Sequence, residues 1–187
     1  MTKRNILIIL IIIPIIGLMT LFGAALIKTK EPRGGLVVNA RFSETSVDEI
    51  LAPDFTVETL DGQHITLSEL QGKLVMIDFW SSWCPPCRIE ASQLAKTFNS
   101  YEGSDIEFIG IAVWDQKQEV KEFIRFHNVP YINALDNNGM IAIDYGVRGI
   151  PEKYFINKNG YIVKKFIGPL DANKLEEILD LLLLESE

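Results

Sequence analysis

The sequence predicts an α/β domain: a central mixed β-sheet flanked by helices, with an N-terminal β-hairpin and a single N-terminal transmembrane helix. Three observations carry this. From Leu74 to Leu184, strand-like apolar runs alternate with stretches of helical period. The last two strands are joined by the tight turn Asn159-Gly160 rather than by a helix. The segment Ile6 to Ile27 holds no charged residue.

That segment is preceded by Lys3 and Arg4 and followed by Lys28 and Lys30. A signal-peptide core runs to about 7–15 apolar residues, whereas a spanning helix needs about 20. Length therefore predicts an uncleaved anchor over residues 1–27, with Gly23-Ala24-Ala25 as the cleavage site if the segment is instead a signal peptide. Residues 28–51 read as a polar linker with Pro32, Gly34 and Gly35, in which Ser43 to Leu51 could form a short helix. The folded domain is expected over 52–187.

Within it, Phe55-Thr56-Val57 and His64-Ile65-Thr66-Leu67 alternate like strands, and Asp61-Gly62 between them signals a hairpin. Ser68-Glu69-Leu70 is a turn or short helix. Leu74 to Trp80 is almost continuously apolar, as a central strand buried on both faces would be. A helix follows from Cys84 to about Tyr101, with Ile89, Leu94 and Phe98 as its apolar positions. Ile106 to Trp114 is a second buried strand and Gln116 to His127 a second amphipathic helix. Asn137-Asn138-Gly139 turns into a short helical piece, Met140 to Tyr145. Lys153–Ile156 and Tyr161–Ile167 are the closing strands. Gly168-Pro169 ends them, and Asp171 caps a last helix to about Leu184.

A chain of 187 residues with 48% of them hydrophobic can bury a substantial core. Its net charge of −7 argues against nucleic-acid binding, which calls for a basic face. The two cysteines, Cys84 and Cys87, stand at C-x-x-C spacing. A disulfide closing so short a loop constrains the unfolded chain little, so a purely structural staple is disfavoured. Zinc lacks ligands, because only His64 and His127 remain and they are far apart in sequence. Haem attachment needs His after the second cysteine, where Arg88 stands. No metal and no cofactor beyond the cysteine pair is expected.

Cys84 is placed where a strand ends and a helix begins. The free N–H groups and dipole of a helix N-terminus stabilise an anion there, so Cys84 is expected to carry a usable thiolate. Cys87, one turn on, can resolve a mixed disulfide formed on Cys84. Pro85 and Pro86 lie between them and are expected to tune the couple; a proline in the first turn loses no helical hydrogen bond. Cys87 needs a proton acceptor. Asp78 in the central strand is one candidate, its pKa raised by burial. Glu90, one turn after Cys87, is the other. Trp83 is expected to shield the disulfide and offer partners an apolar platform, Trp80 to lie in the core, and His127 to be structural. Arg88 reads as an exposed helix-start arginine that could assist the thiolate.

Asp78-Phe79-Trp80-Ser81-Ser82-Trp83-Cys84-Pro85-Pro86-Cys87 resembles the active-site strand and turn of thioredoxins. Tyr145-Gly146-Val147-Arg148-Gly149-Ile150-Pro151 is similar to their second signature. The hairpin, the added length and the anchor resemble the TlpA/DsbE group, tethered thioredoxins linked to cytochrome c maturation, over residues 52–184. The resemblance implies a thioredoxin-like fold and a cis-proline at Pro151 facing the cysteines. It implies that Ile150 offers its backbone to substrate, and that Glu152 matches an acidic position beside that proline. Asp78 matches the buried aspartate of thioredoxins and Glu90 a functional glutamate of the group. The implied activity is reduction of protein disulfides outside the cytoplasm, with apocytochrome c as a candidate substrate and a CcdA/DsbD-type membrane protein as electron donor. A membrane-anchored monomer is expected. Two other readings stay open: a peroxiredoxin-like thiol peroxidase, although no Pro/Thr run precedes Cys84, and a non-catalytic tethered assembly or chaperone module.

Overall fold

The computed structural model describes residues 5, 12–20, 37–39 and 43–185. Its elements run β1 (Val37–Val38), β2 (Ser43–Leu51), β3 (Thr56–Glu58), β4 (His64–Thr66), a 3-10 turn (Leu67–Leu70), β5 (Leu74–Trp80) and α1 (Pro85–Ser100). They continue β6 (Ile106–Val113), α2 (Lys117–His127), β7 (Ile132–Asp136), α3 (Met140–Asp144), β8 (Gly149–Ile150), β9 (Glu152–Ile156), β10 (Tyr161–Ile167) and α4 (Ala172–Leu184). The chain divides into two compact units, 1–35 and 36–187. In the first, residues 12–20 are helical. Among the described residues no helix is long and apolar enough to cross a membrane; the rest of the span expected over Ile6–Ile27 lies outside them.

The second unit has the thioredoxin-like layering. Six strands form one sheet in the order β2-β10-β9-β5-β6-β7. β5, β6 and β7 are mutually parallel, whereas β9 runs antiparallel to β5 and β10 to β9. Parallel neighbours need a crossover, supplied by α1 and α2, while β9 and β10 need only the Asn157–Gly160 turn. There Asn157 Oδ1 accepts the N–H groups of Asn159 and Tyr161, and Gly160 adopts φ +87°. All seven residues of β5 are buried, as its apolar run predicts for a strand covered on both faces. β3 and β4 form the expected hairpin, Val57 opposite Ile65. The hairpin docks on β7 through Leu60 N–H to Asn133 O, 2.9 Å.

Two elements depart from the sequence reading. Ser43–Leu51 is not a helix but a nine-residue edge strand, so it belongs to the sheet although it falls in the expected linker. Its residues do not have to be apolar, because only one edge is paired. Glu44 takes Lys164 at 2.7 Å and Lys174 at 3.5 Å, charges that suit a strand at a sheet margin. The second is β7, which the sequence reading passed over. Its polar Asn133 is buried because Oδ1 accepts from Trp80 Nε1 at 3.2 Å and Nδ2 donates to Tyr131 O at 2.9 Å.

Gly110 on β6 sits opposite Asp78 and makes this packing possible. A Cβ there would lie 2.8 Å from Trp80 Nε1 and overlap Asn133 Oδ1. Gly110→Ala is therefore expected to destabilise the fold by about 1–3 kcal/mol through overpacking, measured by urea denaturation. An unchanged midpoint would show that the Trp80–Asn133 pair can move aside.

Candidate active site

β5 ends at Trp80, and the next three residues are tied in place individually. Ser81 Oγ donates to Val113 O. The Ser82 N–H and Oγ donate to Asp115, at 2.5 and 3.0 Å. Arg88 Nη1 donates to Ser82 O at 2.9 Å while its guanidinium lies 5.9 Å from the Phe123 ring centre. Trp83 Nε1 donates to Trp114 O at 3.0 Å, and the residue, next to Cys84 in the chain, is 42% exposed. Arg88 thus braces the loop, and Asp115 and Trp114 are site residues the sequence did not announce.

Cys84 is the N-cap of α1, its Sγ accepting the Cys87 N–H at 3.4 Å. Pro85 and Pro86 occupy the first two helical positions, so two of the usual free N–H donors are absent there. Cys84 and Cys87 form a disulfide with their Cα atoms 5.3 Å apart, and both are buried. The Ile150–Pro151 peptide is cis. Phe79 pairs with Glu152 across β5 and β9. Continuing that register by one residue sets Trp80 beside Pro151, so the cysteine loop and the proline turn leave the sheet at the same end. The Ile150 carbonyl is engaged within the chain, accepting the Asn39 N–H at 2.6 Å where β1 pairs with β8.

Glu152 is buried rather than a surface charge. One oxygen accepts the N–H groups of Arg148 and Gly149, each at 3.2 Å, and the other meets Lys165 at 2.7 Å. It therefore clamps the turn that carries Ile150 and Pro151.

Of the apolar positions expected on the inner face of α1, Leu94 is buried and Phe98 packs against the core, but Ile89 is not inside. Ile89 is 69% exposed, while Glu90 is buried with Cys87, Ala91 and Leu94. Glu90 can be inside because Lys153 meets it there. Lys153 is itself fully buried, stands opposite Asp78 in the β5/β9 register, and donates to Glu90 Oε1. Its Nζ lies 3.1 Å from Asp78 Oδ1, close enough for an ion pair but not aligned as a hydrogen bond. Glu90 Oε2 accepts the Leu170 N–H at 2.7 Å. Asp78 and Cys87 line one small cavity with Trp80, Ala91, Leu94, Phe123, Val129 and Tyr131. Its volume of about 10 Å³ is about the least that can hold one water.

Burial sets the proton affinities here. It pushes Asp78 above the ordinary carboxylate range despite Lys153. It pushes Glu90 up to about 8, against Lys153 and with help from the Asp78 charge. For Lys153 burial acts the other way, but Asp78 and Glu90 outweigh it and its pKa is raised. His127 is held below its usual value, first by burial and then by Arg88, and its ring packs tilted against Phe123 with centres 4.4 Å apart, a structural role.

A carboxylate whose pKa is raised on folding stabilises the fold fully below its unfolded pKa, and that contribution is lost as pH rises through the folded one. For Glu90 the window runs from the ordinary 4.5 to about 8. The stability advantage of the protein over Glu90→Gln should thus shrink between pH 5 and 8, by at most about 1.4 kcal/mol per pH unit. A difference that grows with pH in denaturant titrations would contradict this assignment.

Comparison with known proteins agrees with this geometry. Residues 50–165 match the AhpC/TSA family. Thiol-disulfide oxidoreductase ResA of Bacillus subtilis is 28% identical over 151 residues, covering 80% of this chain and 84% of that one. ResA of Halalkalibacterium halodurans is 33% identical over 132 residues, covering 70% and 74%. The crystal structure of a thioredoxin-family thiol:disulfide interchange protein from Chlorobium tepidum superposes with a TM-score of 0.66 at 27% identity, covering 74% of this chain and 99% of that one. With the paired cysteines at a helix start, these likenesses establish that the chain belongs to the AhpC/TSA family and is a thioredoxin-fold thiol–disulfide oxidoreductase.

Proposed function

We propose that this protein is an extracytoplasmic reductant of protein disulfides, anchored in the cytoplasmic membrane by the Ile6–Ile27 segment and acting as a monomer. Its substrates include apocytochrome c during cytochrome c maturation, and a membrane donor of the CcdA/DsbD type returns it to the dithiol state. The observation that carries the reading is the Cys84–Cys87 pair at the start of α1 with Asp78 in the cavity beside Cys87. Cys84 as thiolate attacks a substrate disulfide, and one substrate thiol leaves. Cys87 gives up its proton and attacks Cys84 Sγ, closing the protein disulfide and releasing the second substrate thiol. A tethered reductant has a purpose where the surroundings are oxidising. The peroxidase alternative has less support, because Cys84 is followed at three residues by a resolving partner and is preceded by no Pro/Thr run.

The test is capture. Full-length Cys87→Ser, expressed in membranes of the native host, should hold Cys84 in mixed disulfides with exported proteins that carry cysteine pairs. Mass spectrometry identifies them. Capture of c-type cytochrome precursors supports the maturation role, and capture of none but other exported proteins replaces it with general disulfide reduction. No captured protein at all would contradict the reductase reading.

A further inference from the structure

Three buried ionisable side chains, Asp78 on β5, Glu90 on α1 and Lys153 on β9, meet, and Asp78 among them lines a cavity with Cys87. Thiol exchange as such requires one proton acceptor, not a carboxylate pair with a lysine between its members. The geometry points to Lys153 as a positioning residue: it holds Asp78 and Glu90 together as one buried acceptor for the Cys87 thiol proton.

The arrangement around it is closed. Lys153 contacts Asp78 across the strand pair and Glu90 across the sheet–helix interface, and Leu170 N–H takes the remaining Glu90 oxygen. Asp78 lines the Cys87 cavity, and its Oδ1 has no aligned donor. The elements packed against the cavity add one other titratable group, the Tyr131 hydroxyl, which burial and the two carboxylates keep protonated. α2 and the residues after it contribute the apolar Phe123 and Val129, and Gly110 opposite Asp78 on β6 has no side chain. Glu152 and Lys165 pair on the other face of the sheet, in the register of Phe79 and Tyr154. Lys153 is therefore the one cation, among the described residues, that contacts the carboxylates.

With both carboxylates ionised the trio carries one net negative charge, and a proton from Cys87 brings it to neutrality. Lysine lowers the proton affinity of both carboxylates, opposing the burial that raises them, and so lowers the pH at which the acceptor empties. Without it that pH rises, and near neutrality the pair is a poorer destination for the thiol's proton. In the resolving step the Cys87 S–H bond breaks and its proton passes to the carboxylate pair. The thiolate forms the Cys84–Cys87 bond, and the mixed disulfide bond breaks to release a substrate thiolate. The substrate has then gained two electrons and the protein dithiol has lost them. The inference rests on the exchange reading of Cys84 and Cys87.

The test follows the resolving step by stopped flow. The reduced full-length chain is mixed with dithiobis-nitrobenzoate, and release of the second thionitrobenzoate is followed from pH 5 to 9. Lys153→Met should move the rising limb of this profile alkaline by about one pH unit or more, a loss of about tenfold at pH 7. Lys153→Arg should keep the limb near its original place. If Lys153→Met does not fold, Lys153→Met/Glu90→Gln is compared with Glu90→Gln alone. An alkaline shift of the double variant supports the assignment. Coincident profiles, in either comparison, overturn it and leave Lys153 a purely structural ion. Cys87→Ser is the control, since a second release as fast as in the parent would defeat the exchange reading itself rather than the role of Lys153.

Discussion

Cys84→Ser should abolish disulfide exchange, with a loss on the order of 10⁴-fold or more, as for other enzymes stripped of their nucleophile. The hydroxyl cannot take the thiolate's place, because its pKa lies far above neutrality and it forms no disulfide. Cys87→Ser should behave differently. Cys84 would still attack, and one equivalent of substrate thiol would be released before turnover stalls at the mixed disulfide. An insulin-reduction assay distinguishes the two: no reaction in the first variant, a single stoichiometric burst in the second. Equal residual turnover in both would contradict the division of labour that the cap position of Cys84 implies.

Lys153→Met should be the most destabilising single substitution in the site, costing about 3–5 kcal/mol, the usual consequence of removing one partner from a buried ion pair. Two carboxylates would be left without their cation in a fully buried place. Adding Glu90→Gln should recover part of the loss, so the two changes should be non-additive by about 1 kcal/mol or more. Urea denaturation of the single and double variants at pH 7 measures this. Additive effects, or a cost for the single variant within the ±0.5 kcal/mol typical of surface positions, would contradict the buried pairing.

Much of this architecture was legible in the sequence because the deciding signals are local. Leu74–Trp80 is apolar at nearly every position and is a fully buried strand. Asp61-Gly62 and Asn159-Gly160 turn where turn chemistry says they should, with Gly62 and Gly160 both at positive φ. Asp171 Oδ1 caps α4 through the Lys174 N–H at 2.9 Å. Cys84 at the helix start followed from the strand before it and the prolines after it.

What the sequence concealed depends on partners distant along the chain. Ser43–Leu51 is a strand only because β10 offers it an edge, and its polar residues suit that margin. Ile89 was assigned inward by hydrophobicity and Glu90 left undecided. Lys153 decides the second, since a buried cation makes Glu90 a permissible core residue. Lys153 itself was readable after the fact: a lysine inside the apolar strand Glu152–Ile156 needs an anionic partner, and Asp78 and Glu90 each needed a cation. Resemblance set Glu152 beside the proline but not inside the fold, although the backbone N–H groups that hold it belong to its own turn.

The central claim is that Cys84 and Cys87 form a reducing couple, and its reduction potential tests this most directly. Placing Cys84 at a helix N-terminus favours the thiolate, by about 2 kcal/mol at most in partly buried geometries. Burial of Cys87 in a cavity it shares with Asp78 opposes thiolate formation there and favours the disulfide. Equilibrated with glutathione or thioredoxin at pH 7, the pair should poise near thioredoxin's value of about −270 mV. A potential near about −120 mV, that of a strong oxidant, would contradict the account and reverse the direction assigned to its electrons.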